Sequence, residues 1–391
     1  MTRTKEDLAL VKPRADAQSI VASLRHEIVT GRWPPGQQLP VLTELQARYR
    51  TNHVTLLRAI HALVNDGYLR TEKRIGVFVH DHPPHLSQYA LVFFNDPADN
   101  FATAPSSRYY TALANEAMAL QQHDHCRILL FYGVDQHADS DDYQRLLSHL
   151  NSRRLAGIIF ANHPYLVQGS PILEQPDIAR VALTSEQHFP QVPAVAFSEQ
   201  WLDRAFDYLA ARGRKRIAIV MQGYYSKTGG NFDRQLATID RLAVARGLTI
   251  PPHWRQILSQ AFPPAIRHCV RLLMYGAGAE RPDGLVIADD HYVEDAQAAL
   301  VIAGVRVPQD VEVVTHCNFP WPPPAVLPVT RLGFDIRATL RTAMNLIDRQ
   351  RRGETVPGLT QMPALFEHEL HTPGAAVPPP AAPVAATTTT S

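Results

Sequence analysis

The chain has 391 residues, 45% hydrophobic and 19% charged, with 38 Lys and Arg against 37 Asp and Glu and a formal net charge of +1. Such a balance is that of a soluble globular protein with room for two or three domains, and no stretch approaches the roughly 20 apolar residues that span a bilayer. Cys126, Cys269 and Cys317 are odd in number and far apart, which argues against a disulfide framework and for a reducing compartment. Met1 to Arg14 mixes charges with no apolar run behind them, unlike a secretory signal or an anchor. A cytoplasmic protein with no membrane partner is expected.

The charge is not evenly spread. Residues 1–80 hold twelve Lys and Arg against seven Asp and Glu, while the remainder holds 26 against 30. A basic small domain on a mildly acidic body fits a nucleic-acid reader attached to something else.

In chain order, Ile20, Val21, Leu24 and Ile28 recur at helical spacing up to Gly31 and the turn at Trp33-Pro34-Pro35-Gly36. Leu39-Pro40 opens a second helix of about two turns, with Leu42, Leu45 and Tyr49 on one face. Asn52 caps a third, whose buried stripe is Leu56, Ala59, Ile60 and Leu63 and whose end is Asp66-Gly67. Its outer face carries His53, Thr55, Leu57, Arg58 and His61. Tyr68–Thr71 and Gly76–Val79 read as two strands around the charged tip Glu72-Lys73-Arg74. Two helices with a short turn and a wing form a winged helix-turn-helix, whose second helix suits the major groove.

This order of elements, with Ile28-Val29-Thr30-Gly31-Arg32, Pro35-Gly36, Leu39-Pro40, Thr55–Ile60, Asp66-Gly67-Tyr68-Leu69 and Gly76-Val77-Phe78-Val79, resembles the GntR family of bacterial repressors. The resemblance implies operator binding. Where that family usually carries arginines this chain has Thr43, His53 and Leu57. The cations left are Arg50, Arg58, Lys73 and Arg74, so the expected DNA contacts are Arg50, Asn52, His53, Thr55, Arg58, Lys73 and Arg74. A winged helix used only for protein contacts is the alternative.

The boundaries that follow are 17–80 for the reader, 81–88 for a stiff linker around Pro83-Pro84, 89–371 for the second domain and 372–391 for a disordered tail rich in Pro, Ala and Thr. In the second domain, apolar strand-like runs alternate with helical stretches. One series is Tyr89–Phe94, Arg127–Phe131, Gly157–Ala161, Val181–Thr184 and Ala194–Phe197. The other is Arg216–Met221, Arg255–Leu258, Gly284–Ala288, Val311–Thr315 and Val329–Phe334. The pattern predicts an α/β fold, two lobes each built on a parallel sheet of about five strands.

Ligands of such sheets bind beyond the carboxyl ends of the strands, and two lobes bring two sets of ends to one cleft. The candidates there are Asn95 and Asp96, Asn162 and His163, Arg108 and Tyr109 in the first lobe. In the second they are Gln222, Arg234, Asp289, Asp290 and Asn318. Carboxylates, amides and an arginine fork hold vicinal hydroxyls, and Tyr109, Phe101 or Trp321 would stack on a sugar face.

Arg281-Pro282-Asp283-Gly284 with Ala288-Asp289-Asp290, and Gly304-Val305-Arg306-Val307-Pro308-Gln309-Asp310-Val311, are similar to the effector half of LacI and GalR repressors, which share the periplasmic sugar-binding fold. The resemblance implies that Asp290 and Arg234 contact a sugar. Cys317 stands where the family usually has Asp, and Ser198-Glu199 where it has Asp-Asn. The effector-binding set expected is Asn95, Asp96, Tyr109, His163, Arg234, Asp290 and Asn318. A GntR-like reader on a LacI-like sensor resembles the arabinose-repressor type of regulator. That implies a homodimer on a near-palindromic operator, released or retained by a monosaccharide.

No G-x-S-x-G elbow, Cys-His signature or carboxylate pair is present, so no enzyme is expected. His123-Asp124-His125-Cys126 lacks a partner pair with ligand spacing, and no metal or cofactor is expected either. The rival class is a non-catalytic sugar-binding protein whose winged helix no longer reads DNA.

Overall fold

A computed structural model describes residues 15–96, 107–123, 125–135, 137–184, 192–222, 230–258, 264–276 and 278–370. The expected tail lies outside them, as does Phe101.

The N-terminal domain is three helices and a two-stranded antiparallel wing: α1 Ala17–Val29, α2 Leu42–Tyr49, α3 His53–Asn65, β1 Leu69–Glu72 and β2 Gly76–Val79. Ile20, Leu24 and Ile28 of α1 meet Leu45 of α2 and Leu56, Ala59, Ile60 and Leu63 of α3 in one buried cluster closed by Tyr68 and Val79. The apolar stripes read from spacing are thus the faces that pack, because helices this short hold only when an amphipathic face is covered. Arg50 ends α2 in the left-handed region, at φ 48°. Asp16 and Asn52 cap α1 and α3 by accepting from Ser19 N and Thr55 N.

The stretch expected as an extended linker contains one helical turn, α4 Pro84–Ser87, and Gln88 already opens the next strand. Pro84 sits at the first position of that turn, where the missing N–H costs nothing.

The first lobe contains β3 Gln88–Val92, α5 Ser107–His123, β4 Arg127–Phe131, α6 Asp141–Asn151, β5 Gly157–Phe160, α7 Pro171–Glu174, β6 Ala179–Leu183 and β7 Ala194–Phe197. The second contains α8 Trp201–Ala211, β8 Ile217–Gln222, α9 Gly230–Arg246, β9 Arg255–Leu258, α10 Pro264–Leu273, β10 Gly284–Ile287, α11 Val293–Ile302, β11 Glu312–Phe319 and β12 Thr330–Asp335. The chain then returns to the first lobe through α12 Ile336–Arg351 and β13 Leu359–Met362, and ends in the second with β14 Leu365–Phe366.

The sheet orders are β13-β7-β6-β5-β3-β4 and β14-β12-β11-β10-β8-β9, all parallel except the β12–β14 pair. Each sheet therefore has a sixth strand beyond the five expected. The sixth strand of the first lobe comes from residues late in the chain, and spacing alone does not say which sheet a late strand joins. Buried clusters cover both faces of both sheets, which is why these strands are continuous apolar runs. Ile336, Leu340, Ala343, Leu346 and Ile347 of α12 complete the first lobe's core. Gly157 lets that helix approach, since a Cβ there would stand 2.5 Å from Ile347 Cγ2. The lobes are thus joined by three crossings, after β7, β12 and β13, with Phe197 stacked on Phe334 at 4.2 Å between them.

Candidate functional site

Two surfaces carry the candidate chemistry. On the reader, α3 presents His53, Val54, Arg58 and His61 to solvent, with Thr55 and Leu57 half-buried. Arg50, Lys73 and Arg74 are also exposed, the last two at the tip of the wing, where Arg74 has φ 65°. The other arginines of this domain are held elsewhere: Arg25 on Asp66 at 2.7 Å, Arg48 on Glu27 at 2.6 Å, Arg70 on Glu72 and Asp81. Among the described residues Arg50, Arg58, Lys73 and Arg74 have no carboxylate partner. Exposed cations without a carboxylate partner among the described residues are the candidates for phosphate contacts.

Asn52, an expected DNA contact, has its Oδ1 on the backbone N–H of Thr55 at 2.8 Å. It sets the start of α3. Asn52→Ala is expected to cost the reader about 1 kcal/mol, read as a lower urea midpoint, whereas Asn52→Asp keeps the cap; equal loss in both variants would mean that the cap is not what Asn52 provides.

The cleft candidates do not all converge. Asp290 and Asn318 do: they leave the carboxyl ends of the adjacent strands β10 and β11, both are buried, and Asn318 Nδ2 donates to Asp290 Oδ2 at 2.7 Å. Asn318 Oδ1 is buried with no partner among the described residues. His291, which residue spacing did not single out, stands beside them with Nδ1 at 2.9 Å from Asp289 Oδ1 and 3.3 Å from Asp290 Oδ1. Burial pushes Asp290 up, but the hydrogen bond and charge of His291, the charge of His316 and the Asn318 amide hold it below the usual carboxylate range. Asp290 is therefore an ionised acceptor at neutral pH. Burial lowers His291, and its bonds to Asp289 and Asp290 outweigh that, raising it to about 9.

A raised histidine pKa stabilises the fold in full below about 6.5, and the contribution is lost as pH rises through about 9. Unfolding midpoints are expected to fall across that window. In His291→Gln that alkaline arm should flatten; the same slope in both proteins would rule out His291 as its source.

The opposing lobe meets this cluster through the first turn of α5. The backbone N–H of Arg108 points at His291 Nε2, 3.3 Å away, and its guanidinium pairs with Glu294. Nε2 accepts that N–H only when the ring is neutral, so protonation sets His291's carboxylate contacts against its contact across the cleft. Nearby, Glu116 of α5, wholly buried, receives Trp321 Nε1 at 2.9 Å and Arg337 Nε at 2.7 Å. The Trp321 indole is thus engaged at its edge while the residue stays 45% exposed.

Tyr109 is edge-on to Phe197 at 5.6 Å, and burial with neighbouring Tyr110 pushes its hydroxyl up. His163 is buried and stacked on Tyr165 at 3.4 Å. Asn95 and Asp96 are exposed after β3, and Arg234 is exposed in the first turns of α9. Cys317 is fully buried and burial pushes its thiol up, so it offers no carboxylate-like contact. The ligand atoms of Asp289, Asp290 and His291 lie within 4.8 Å of one another, but a cation could take this place only by displacing the imidazole from its carboxylates.

Residues 16–79 match the family model of bacterial regulatory proteins of the gntR family, and residues 206–366 match that of the periplasmic binding protein-like domain. No curated protein matches the chain significantly. Among solved structures, a LacI family transcriptional regulator from Bifidobacterium animalis subsp. lactis is 18% identical with a TM-score of 0.51, covering 73% of this chain and 96% of that one. A LacI family transcriptional regulator from Lactobacillus casei with bound glucose is 19% identical with a TM-score of 0.50, covering 72% and 98%. A regulatory protein of LacI family from Chloroflexus aggregans is 16% identical with a TM-score of 0.50, covering 71% and 96%. These likenesses concern the fold of the lobes, and no described helix is long and apolar enough to cross a membrane. The chain joins a helix-turn-helix domain of the gntR family of bacterial regulatory proteins to a periplasmic-binding-protein-like domain with the fold of LacI-type regulators.

Proposed function

We propose that this transcription regulator is a cytoplasmic repressor whose operator binding is altered by a monosaccharide held between the lobes. Residues 17–80 read DNA, 81–88 link, and 89–371 sense the effector. The observation that carries the reading is the buried Asp290–Asn318 pair at the carboxyl ends of β10 and β11, an ionised acceptor beside an amide oxygen with no partner among the described residues. A sugar diol supplies the two donors that such a pair lacks. A likeness in fold to a regulator solved with glucose points to the same chemistry. Arg50, Arg58, Lys73 and Arg74 supply the phosphate contacts, and a homodimer sets two recognition helices one helical turn apart.

Closure works on the reader through a direct contact. Tyr68 OH donates to Arg153 O at 2.5 Å, and Asp66 at the end of α3 pairs with Arg25 of the reader and Arg154 of the first lobe. The test is selection of genomic fragments by the purified protein at physiological salt, followed by a panel of monosaccharides added to the selected complex. Enrichment of one near-palindromic site that a sugar releases supports the reading. Retention of nothing above a salt-sensitive background rejects it.

A further inference from the structure

A cavity of about 470 Å³ lies where the winged helix, the linker and the first lobe meet, within the range of roughly 300–1,000 Å³ that ligand sites occupy. Val29 from the end of α1, His85 from α4, Arg153 from the turn after α6, Gln175 ahead of β6, and Gln350 and Arg351 from the last turn of α12 line it. None of the interlobe cluster around Asp290 takes part.

The wall is positive. Arg153, held at φ 51°, has no ion-pair partner among the described residues, and Arg351 has one contact, to Asp348 at 3.2 Å. Behind the wall, the buried Arg180 guanidinium donates, among the described residues, only to the backbone carbonyls of Ile172, Gln175 and Ile178 at 2.8–2.9 Å. Burial lowers it to about 10, which leaves it charged at neutral pH. A buried cation with no carboxylate is costly unless a counter-charge comes from elsewhere. The one acidic residue of the lining, Asp177, is exposed to solvent.

His85 adds a polar atom without a partner. It is 8% exposed, stacked on Tyr68 at 5.8 Å, and its Nδ1 is buried with no hydrogen bond among the described residues. Burial and the charge of Arg351 hold the ring neutral, with its pKa lowered to about 4. Two guanidinium groups on the wall and a third behind it attract an oxyanion, and the neutral imidazole donates to it in the tautomer that carries its proton on Nδ1.

We propose that this junction cavity is a second ligand site, taking a small anion that carries a carboxylate or phosphate group. Its occupant touches α1 and the first lobe together, so it braces the reader against the sensor independently of the interlobe cleft.

The experiment is calorimetric titration of the full chain with inorganic phosphate and, separately, with citrate, at pH 7 and constant ionic strength. Saturable binding of at least one is expected, and which one saturates identifies the head group. Arg153→Gln, which keeps a long polar side chain at the left-handed position, should weaken it about tenfold or more; His85→Phe, which keeps the stack on Tyr68, should weaken it also. Asp290→Asn should leave it unchanged. Amide exchange over residues 17–29 and 84–87 should slow on saturation. The proposal is overturned by no saturation with either ion up to about 10 mM, by binding that both junction variants leave intact, by loss in Asp290→Asn, or by exchange that does not change. No DNA or sugar enters the measurement, so these outcomes leave the regulator reading standing or falling on its own test.

Discussion

Asp290→Ala is expected to abolish release of the operator by the monosaccharide that releases the native protein, with operator affinity unchanged in the absence of sugar. Asp290 is 4% exposed and held ionised, so it would accept hydroxyl hydrogens as a buried charge. Each hydrogen bond to a buried charge contributes about 1.5–3 kcal/mol, so losing two raises the sugar needed for half-release by about a hundredfold or more. The alanine also strips Asn318 Nδ2 of its acceptor and His291 of one of two carboxylates. That costs about 3 kcal/mol of stability. Asp290→Asn separates the two effects, since it keeps the shape and removes the charge. If the half-release concentration of Asp290→Asn stays within about threefold of the native value, well under 1 kcal/mol, Asp290 does not touch the effector.

The second large effect is on DNA. Replacing Arg58, Lys73 and Arg74 together by alanine is expected to reduce the slope of log affinity against log salt by about 2.7 per protomer, hence about 5.4 for a homodimer on its operator, at about 0.9 for each phosphate that is no longer neutralised. Operator affinity at physiological salt should fall steeply as a result. Folding should not change by more than about 0.5 kcal/mol, because all three are exposed and have no carboxylate partner among the described residues. Arg58→Ala alone tests how α3 is turned. A loss that is uniform across operator variants assigns Arg58 to phosphate, and a loss concentrated at one base pair assigns it to a base edge. An unchanged salt slope in the triple variant would remove this face from the DNA interface. Because phosphate contacts carry non-specific binding, the triple variant should lose most of that binding too.

Much of the architecture was legible from local pattern. Leu56, Ala59, Ile60 and Leu63 recur at helical spacing, and a helix of that length is stable only with this face covered, so their burial follows from the sequence. Strands such as Gly157–Phe160 and Gly284–Ile287 read as unbroken apolar runs because both faces of a parallel strand are covered. Asp290 was visible for a similar reason: it follows a strand of known type, and ligand sites in these sheets lie at strand ends.

Other features depend on residues distant in sequence. His291 looks in the sequence like the third residue of a polar turn, and only folding places its ring between two carboxylates and opposite Arg108, 183 positions earlier. Glu116 sits in the middle of α5, where nothing in the pattern marks it as the joint acceptor of Trp321 and Arg337. His85 and Arg351 were ordinary residues of a linker and a helix end until the fold brought them to one cavity.

By itself, then, the sequence determined the periodicities: which faces of the reader are buried, and that the strands are parallel and two-sided. The tertiary structure decided that α12 and β13 return to the first lobe, that Asp290 finds Asn318, and that reader and sensor meet around Asp66 and Tyr68. The division has a physical cause. Periodicity is imposed by backbone geometry within a few residues, whereas buried polar partners are chosen by whichever distant segment supplies the missing donor or acceptor.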